Sequence, residues 1–414
     1  MTVGALTPDE VFTPRSAVVN DRMYISRDKH ERALERALTG NKNIVIYGAS
    51  GCGKSWLWKS FLGQREHPYM IANMAQASNL GGVGNVFENC FNRVERRAKT
   101  GSSFRAGGSL NLGPLKLSAQ LIDTVKELEV EPFERCLALM SSLGKSRKSV
   151  IVIENFESII EDERHINDLA GLITLVDDDD YASYGVKLLL VGVPDDIQRY
   201  FSKTKFAQTI SNRLEEIPEV QRLSKNEAEL LLRQGLIGLL NLKIDPDVSL
   251  ERVAFITDYI PQHLHEIGLK IAFNAIESGS ITHEDFMQAA IEWIKSSHSS
   301  DWAAISKRLD SITTKIGRRN QTLWAIGNIM KTDFTSGDVE SLIRQGFPAS
   351  TSEIALNVSD VLKELASGDN PIIRIAPNGA AYRFVSPKYC IAIRTMITKD
   401  EEMIAIQEYD YLDD

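Results

Sequence analysis

Residues 43–63 read Asn43-Ile44-Val45-Ile46-Tyr47, then Gly48-Ala49-Ser50-Gly51-Cys52-Gly53-Lys54-Ser55, then Trp56 through Gly63. The first five form a buried-strand run, the middle eight fit G-x-x-x-x-G-K-[ST], and the last eight suit a helix. Glycines let the loop curl until its N–H groups converge on phosphate oxygens. The following helix N-terminus adds partial positive charge at the same point. This predicts a nucleotide site built from Gly48, Ala49, Ser50, Gly51, Cys52, Gly53, Lys54, Ser55 and Trp56. Lys54 would reach the β/γ-phosphates and Ser55 would hold Mg2+, so ATP and Mg2+ are the expected cofactors.

Such a site needs a second carboxylate on a neighbouring strand to complete the Mg2+ shell. Val150-Ile151-Val152-Ile153-Glu154 supplies it, and Asn155-Phe156-Glu157 continue the chain. Around this pair, strand and helix patterns alternate. Strands are expected at 68–72 and 186–193, and helices at 29–38, 80–97 and 133–143. Residues 100–120 are rich in glycine and serine, and Leu110, Leu112, Leu115 and Leu117 suggest a small hairpin. Alternation of this kind implies a parallel α/β sheet.

Beyond Ser224 leucine-rich helical segments follow, at 226–240, 248–257, 261–278 and 283–296, and they read as a helical lid. Residues 297–301 look like a linker. Helices are then expected at 302–316, 321–330, 337–345 and 352–365. Strands at 371–376 and 381–385 flank the turn Pro377-Asn378-Gly379, and helices followed by a hairpin make a winged-helix pattern. The expected fold class is therefore an α/β P-loop sheet with a helical lid and a C-terminal winged-helix domain. The expected domains are 1–223, 224–298 and 299–400, with an acidic tail at 401–414.

A chain of 414 residues suggests two or three domains. With 43% hydrophobic and 25% charged residues, its composition excludes a disordered chain. No apolar run approaches the ~20 residues of a membrane span, and no secretory leader is visible, so a cytoplasmic protein is expected. Cys52, Cys90, Cys136 and Cys390 lie far apart and predict neither a zinc nor a disulfide framework. No His/Asp metal set and no Ser/His/Asp set can be read from the sequence. The net charge of −9 makes the whole chain a poor non-specific nucleic-acid binder. Charge is uneven, however: 301–399 carries +4 and 400–414 carries −7, so a charged interaction surface could be local.

Taken in order, these stretches resemble AAA+ ATPases of the origin-recognition type and the neighbouring signal-transducing NTPases called STAND. Tyr24-Ile25-Ser26-Arg27 is similar to the stretch before the family's first helix, and 44–55 to its P-loop. Val150 to Glu157 resembles its second acidic motif, and Leu188-Leu189-Leu190-Val191-Gly192-Val193-Pro194 its sensor-one strand. Asn212-Arg213-Leu214, ahead of a strand at 216–220, is similar to its arginine-finger region. Asp258-Tyr259-Ile260-Pro261 looks like its Gly-x-Pro lid motif with Tyr259 in place of glycine, and 344–387 resembles its winged helix.

The resemblance implies that Glu154 holds Mg2+ and that Asn155 stands where a catalytic acid is usual. An amide cannot take a proton, so either Glu157 substitutes or turnover is slow. It implies that Arg213 reaches a neighbouring subunit's γ-phosphate in a homo-oligomer, and that Pro261 borders the nucleotide. No sensor-two arginine stands near Pro261, where Gln262, His263 and His265 occur instead. Asp195, after the sensor strand, is either a water-orienting acid or a helix cap.

Three functions follow. The first is an ATP-driven switch that engages a protein effector through its winged helix, with a stress or phage-defence setting implied by the STAND likeness. The second is an initiator or loader ATPase on duplex DNA, contacted through Arg318, Arg319, Arg344, Arg374, Arg383 and Lys388. The third is a binding module that uses nucleotide only structurally. No membrane partner is expected.

Overall fold

The computed structural model describes residues 6–100, 110–111, 119–127, 129–144, 147–193, 197–202, 204–310, 317–352, 354–376, 379–401 and 403–406. The chain divides into two compact units, Arg15–Arg222 and a second made of Met1–Pro14 with Leu223–Asp414.

The first unit is built on six strands: β1 (Asn43–Tyr47), β2 (Tyr69–Asn73), β3 (Leu110–Asn111), β4 (Val150–Glu154), β5 (Lys187–Val193) and β6 (Leu214–Glu216). Their order is β3-β2-β4-β5-β1-β6. All neighbours pair in parallel except β3, which runs antiparallel to β2. A parallel sheet is covered on both faces, so its central strands read as unbroken apolar runs. Val150, Ile151, Val152 and Ile153 are all fully buried, as that rule requires. One face packs Phe87, Phe91, Phe133, Leu137 and Met140, and the other packs Leu57, Trp58, Phe61 and Leu62 of the P-loop helix.

The expected strands and helices of this unit are present within a few residues. Two expectations change. Leu110 and Asn111 extend the main sheet at its edge by pairing with Met70 and Tyr69, and the other residues of the expected hairpin lie outside those described. The strand expected at 216–220 is instead Leu214–Glu216, the residues that pair in parallel with Asn43 to Val45, and 217–220 are not strand.

In the second unit, helices Lys225–Arg233, Leu250–Ile256, Pro261–Ala275 and His283–Ser297 form the lid. Two short strands, β7 (Lys243–Ile244) and β8 (Ser280–Ile281), pair in parallel beside them. The N-terminal segment belongs here, not to the nucleotide unit. A Thr7 capping box starts the helix Pro8–Val11, and Phe12 is fully buried against Gly268. A Cβ at Gly268 would stand 2.5 Å from the Phe12 ring, so only glycine admits that packing.

The expected linker at 297–301 is instead a tight junction. Helix His283–Ser297 ends, His298 alone intervenes, and helix Ser299–Ser306 begins. Ile294, Trp302 and Ile305 then share one core with Leu323, Ile326, Val339, Ile343 and Leu362, so lid and C-terminal region form one unit. The C-terminal helices are Arg318–Asn328, Ser336–Gly346 and Val358–Leu365. They are followed by the antiparallel pair β9 (Ile373–Ile375) and β10 (Tyr382–Phe384), to which Phe334 adds a bridge at Tyr382. Pro377 and Asn378 of the expected turn lie outside the described residues.

A last helix, Pro387–Met396, leads to a second hairpin, β11 (Ile397–Asp400) with β12 (Met403–Ile406). The acidic tail expected from 401 therefore starts inside a hairpin, and 407–414 lie outside the described residues.

Candidate nucleotide site

The P-loop leaves the C-terminal end of β1 with Gly48, Gly51 and Gly53 at φ +136°, +80° and +90°. These values lie in the region that favours glycine. At Gly48 the requirement is doubled, since a Cβ would stand 2.4 Å from the Val220 carbonyl oxygen. Gly53 caps the helix Lys54–Gln64, so the helix's first N–H groups point back into the loop.

Lys54 Nζ donates to the carbonyls of Gly48 (2.7 Å) and Ala49 (2.9 Å). Burial pulls its ammonium below the ordinary lysine value, while Cys52 and Glu157 push it back. Ala49 and Ser50 are exposed, Cys52 is buried, and Ser55 lies in the first turn of the helix. Trp56 points its indole N–H at the Ser16 carbonyl (3.2 Å), and Lys59 donates to the Ala17 carbonyl (3.0 Å). Residues 16–17 are thereby fastened along the P-loop helix.

Glu154 ends β4, and its carboxylate lies 4.0 Å from Lys59 Nζ. Lys59 stands one turn beyond Ser55 on the same helix face. Glu154 therefore lies beside the P-loop helix. Asn155 follows with φ +56°, a conformation asparagine tolerates better than most residues. Its amide donates to Asn73 Oδ1 (2.8 Å), which also accepts from the Ala75 N–H.

Glu157 is exposed, and its carboxylate occupies the space beside Gly192. There β5 carries one extra residue against β1: Ile46 pairs with Val191 but Tyr47 with Val193. Gly192 fills that bulge at φ +93°, and a Cβ on it would fall 2.0 Å from Glu157 Oε2. Lys54, Glu154, Asn155 and Glu157 thus belong to one end of the sheet. Asp195 lies outside the described residues.

Arg213 is at the other end. Its carbonyl accepts from the Asn43 N–H at the start of β1, and the P-loop begins only after Tyr47. At ~3.3 Å per residue the strand puts roughly 15 Å between Arg213's backbone and its own P-loop. The guanidinium pairs with Asp177 (2.7 Å) and donates to the Thr209 carbonyl (3.0 Å).

In the second unit, Pro261 opens the helix Pro261–Ala275, preceded by Asp258 and Tyr259 at φ +53° and +57°. Tyr259 so adopts the backbone that a glycine would there. His263 and His265 are buried, which pulls each pKa down to about 4. Both are neutral near pH 7, and His265 Nδ1 accepts from the Thr13 N–H (3.1 Å). A cationic phosphate sensor is absent at these two positions.

Sequence reasoning missed Arg27's function in the site. Its guanidinium donates to the carbonyls of Cys52 (3.0 Å) and Gln221 (2.8 Å), tying the P-loop to the segment after β6. The signal was present, since Arg27 ends the Tyr24-Ile25-Ser26-Arg27 stretch. Asn73 and the Gly192 bulge carried no such signal.

Residues 37–201 match the family model described as AAA domain. No curated protein matches the chain. Among solved structures, a Walker-type ATPase of Pyrococcus abyssi superposes with a TM-score of 0.53 at 17% identity, over 92% of this chain and 99% of that one. The ORC2 protein of Aeropyrum pernix, solved as ADPNP–ADP complexes, gives 0.47 at 14% identity, over 94% of this chain and 96% of that one. The fold of the Arg15–Arg222 unit is the P-loop AAA+ fold. Among the described residues no helix is long and apolar enough to cross a membrane.

Proposed function

We propose that the chain is an ATP-binding, slowly hydrolysing switch that assembles when ATP is bound and engages a protein partner through a C-terminal winged-helix module. The observation that carries the nucleotide reading is the glycine cradle closed by Lys54. The ammonium rests on two loop carbonyls that phosphate oxygens would replace. ATP would lie against Gly48 to Trp56, and Ser55 and Glu154 would hold Mg2+. The ion would offset charge on the transferring phosphoryl group.

Slow turnover is supported by Asn155, whose amide is engaged by Asn73 and cannot accept a proton. Among the described residues Glu157 is a carboxylate close enough to act on Lys54, and it stands in as the water-polarising acid. Glu154→Gln should keep ATP bound while lowering steady-state turnover. Glu157→Gln should lower turnover comparably, by about a hundredfold. Normal phosphate release by Glu157→Gln would leave it a purely structural residue.

Arg213 serves a neighbouring subunit in this reading. An arginine side chain cannot span ~15 Å to its own phosphates, and the Asp177 pair it would surrender is partly exposed and worth little. Its planar, permanent charge suits γ-phosphate oxygens. Arg213→Ala should leave monomer ATP affinity intact while ATP-dependent oligomers and turnover fall together. Mixing Arg213→Ala with Lys54→Ala should restore part of the activity. Unrestored activity, with monomers by light scattering in ATP, would defeat the trans assignment.

A protein partner is favoured over duplex DNA by how the basic residues are spent. Arg319 pairs with Glu364 and Asp310, Arg344 with Glu340, and Arg383 with Asp333. Cations already paired to carboxylates release fewer counterions on meeting phosphates. Beside them Ile375 and Val385 are exposed apolar residues on the hairpin and its edge. The likeness to STAND transducers carries the stress or phage-defence setting. A steeply salt-dependent affinity for duplex DNA would instead favour the initiator reading.

A further inference from the structure

The lid unit contains a second cluster that the nucleotide site does not use. His263 and Glu266 lie one turn apart on the helix Pro261–Ala275, and His298 is the single residue between helices His283–Ser297 and Ser299–Ser306. One donor atom from each of the three lies within 4.8 Å of the others. His298 is 2% exposed, and neither of its ring nitrogens has a hydrogen-bond partner. The Nδ1 of His263 is likewise buried and unpartnered. A buried polar atom without a partner costs about 1–3 kcal/mol, so two neighbouring imidazoles that each carry one call for an occupant.

The surroundings match what metal-binding side chains need behind them. Glu266 is held by two donors: Trp293 Nε1 gives to its Oε2 (2.9 Å) and Gln262 Nε2 to its Oε1 (2.9 Å). Asp301 Oδ2 lies 3.9 Å from His298 Nδ1. Imidazole ligands backed by a carbonyl or carboxylate, and a ligating carboxylate fixed by its own hydrogen bonds, are the usual supporting shell of protein metal sites. Trp293 packs against both imidazoles, its ring 4.6 Å from that of His298 and 5.7 Å from that of His263.

We propose that His263, Glu266 and His298 form a binding site for a divalent transition metal, zinc foremost, that locks the lid helix to the junction leading into the C-terminal helices. Two imidazoles and one carboxylate are a zinc-type donor set; a magnesium or calcium site would be built from oxygens. Metal–donor bonds of about 2.0–2.2 Å place tetrahedral ligands roughly 3.4 Å apart, so the cluster needs to contract by at most about 1.4 Å.

The test uses the tag-free full chain, stripped with chelator and kept free of nucleotide. Zn2+ is titrated by calorimetry, and Co2+ is followed by its visible absorption. One ion per chain is expected, with tetrahedral Co2+ bands that Zn2+ removes and a raised melting temperature. Glu266→Gln and His298→Gln, each checked for native circular dichroism, should weaken Zn2+ binding by about 100-fold or more. His283→Gln, at an exposed histidine outside the cluster, should bind as the parent does. Absent binding at micromolar Zn2+ would overturn the site. So would undiminished affinity in either folded cluster variant, or a loss confined to His283→Gln.

Discussion

Lys54→Ala is expected to abolish the rise in melting temperature that ATP–Mg2+ gives the parent protein. A ligand at a hundred times its Kd stabilises the native state by about 2.7 kcal/mol, which for a unit of ~200 residues is roughly 5–10 °C. Lys54 donates to the Gly48 and Ala49 carbonyls, at a loop whose Ala49 and Ser50 are exposed. Water can replace those two bonds, so the variant should melt near the parent without nucleotide. Only the ligand-dependent increment should vanish. Differential scanning fluorimetry with and without ATP–Mg2+ reads this directly. An equal shift in the variant would remove Lys54 from the phosphate site.

The second large effect concerns stability. Arg394, fully buried on the helix Pro387–Met396, donates to Asp258 Oδ1 (2.8 Å) and the Phe255 carbonyl (2.7 Å), and its Nε to the Gly327 carbonyl. Its guanidinium also stacks over the Phe255 ring at 4.2 Å. One side chain thus joins the lid to two C-terminal helices, and it holds Asp258 in the left-handed conformation that precedes Pro261. Removing one partner of a buried ion pair strands the other's charge, at about 3–5 kcal/mol. Arg394→Met should destabilise the lid unit by that amount in urea unfolding. Asp258→Asn, which keeps the shape, should cost less, and the double variant should cost less than the sum. A loss under about 1 kcal/mol in Arg394→Met would show that the pair does not hold the lid together.

The nucleotide unit was legible because its signals are local. Gly48 to Ser55 specify a turn, a charge and a helix start within eight residues, and Val150 to Glu154 announce a buried strand by composition alone. What escaped depends on pairing across the chain. Leu110 and Asn111 look like half of a hairpin until Met70 and Tyr69 offer them an edge. Ser297 to Asp301 look like a linker, because three serines in five residues hide a helix start that Trp302 and Ile305 stabilise from the next core. The spacing of His263 and Glu266 was visible as one helical turn. His298 entered their company only through the packing of the helix His283–Ser297, which no local pattern encodes. Asn155 shows the reverse: its identity was plain, yet its bond to Asn73 rests on the register of β2 with β4.

The attachment of Phe12 to Gly268 sets a timetable for the growing chain. Thr13 and His265 are 252 residues apart in sequence, so at ~5–20 residues per second the N-terminal segment waits more than about ten seconds for its partner. During that wait the intervening Arg15–Arg222 unit is complete and can fold alone. Its own bonds fix both of its ends to the P-loop region: Ser16 through Trp56, and Gln221 through Arg27. A closure that would otherwise span roughly 250 flexible residues then spans a folded body and the roughly 40 residues between Arg222 and His265. The entropic penalty for bringing Phe12 home shrinks accordingly. Ribosomal order becomes folding order, and a nascent chain stalled before Gly268 carries an uncovered phenylalanine for chaperones to find.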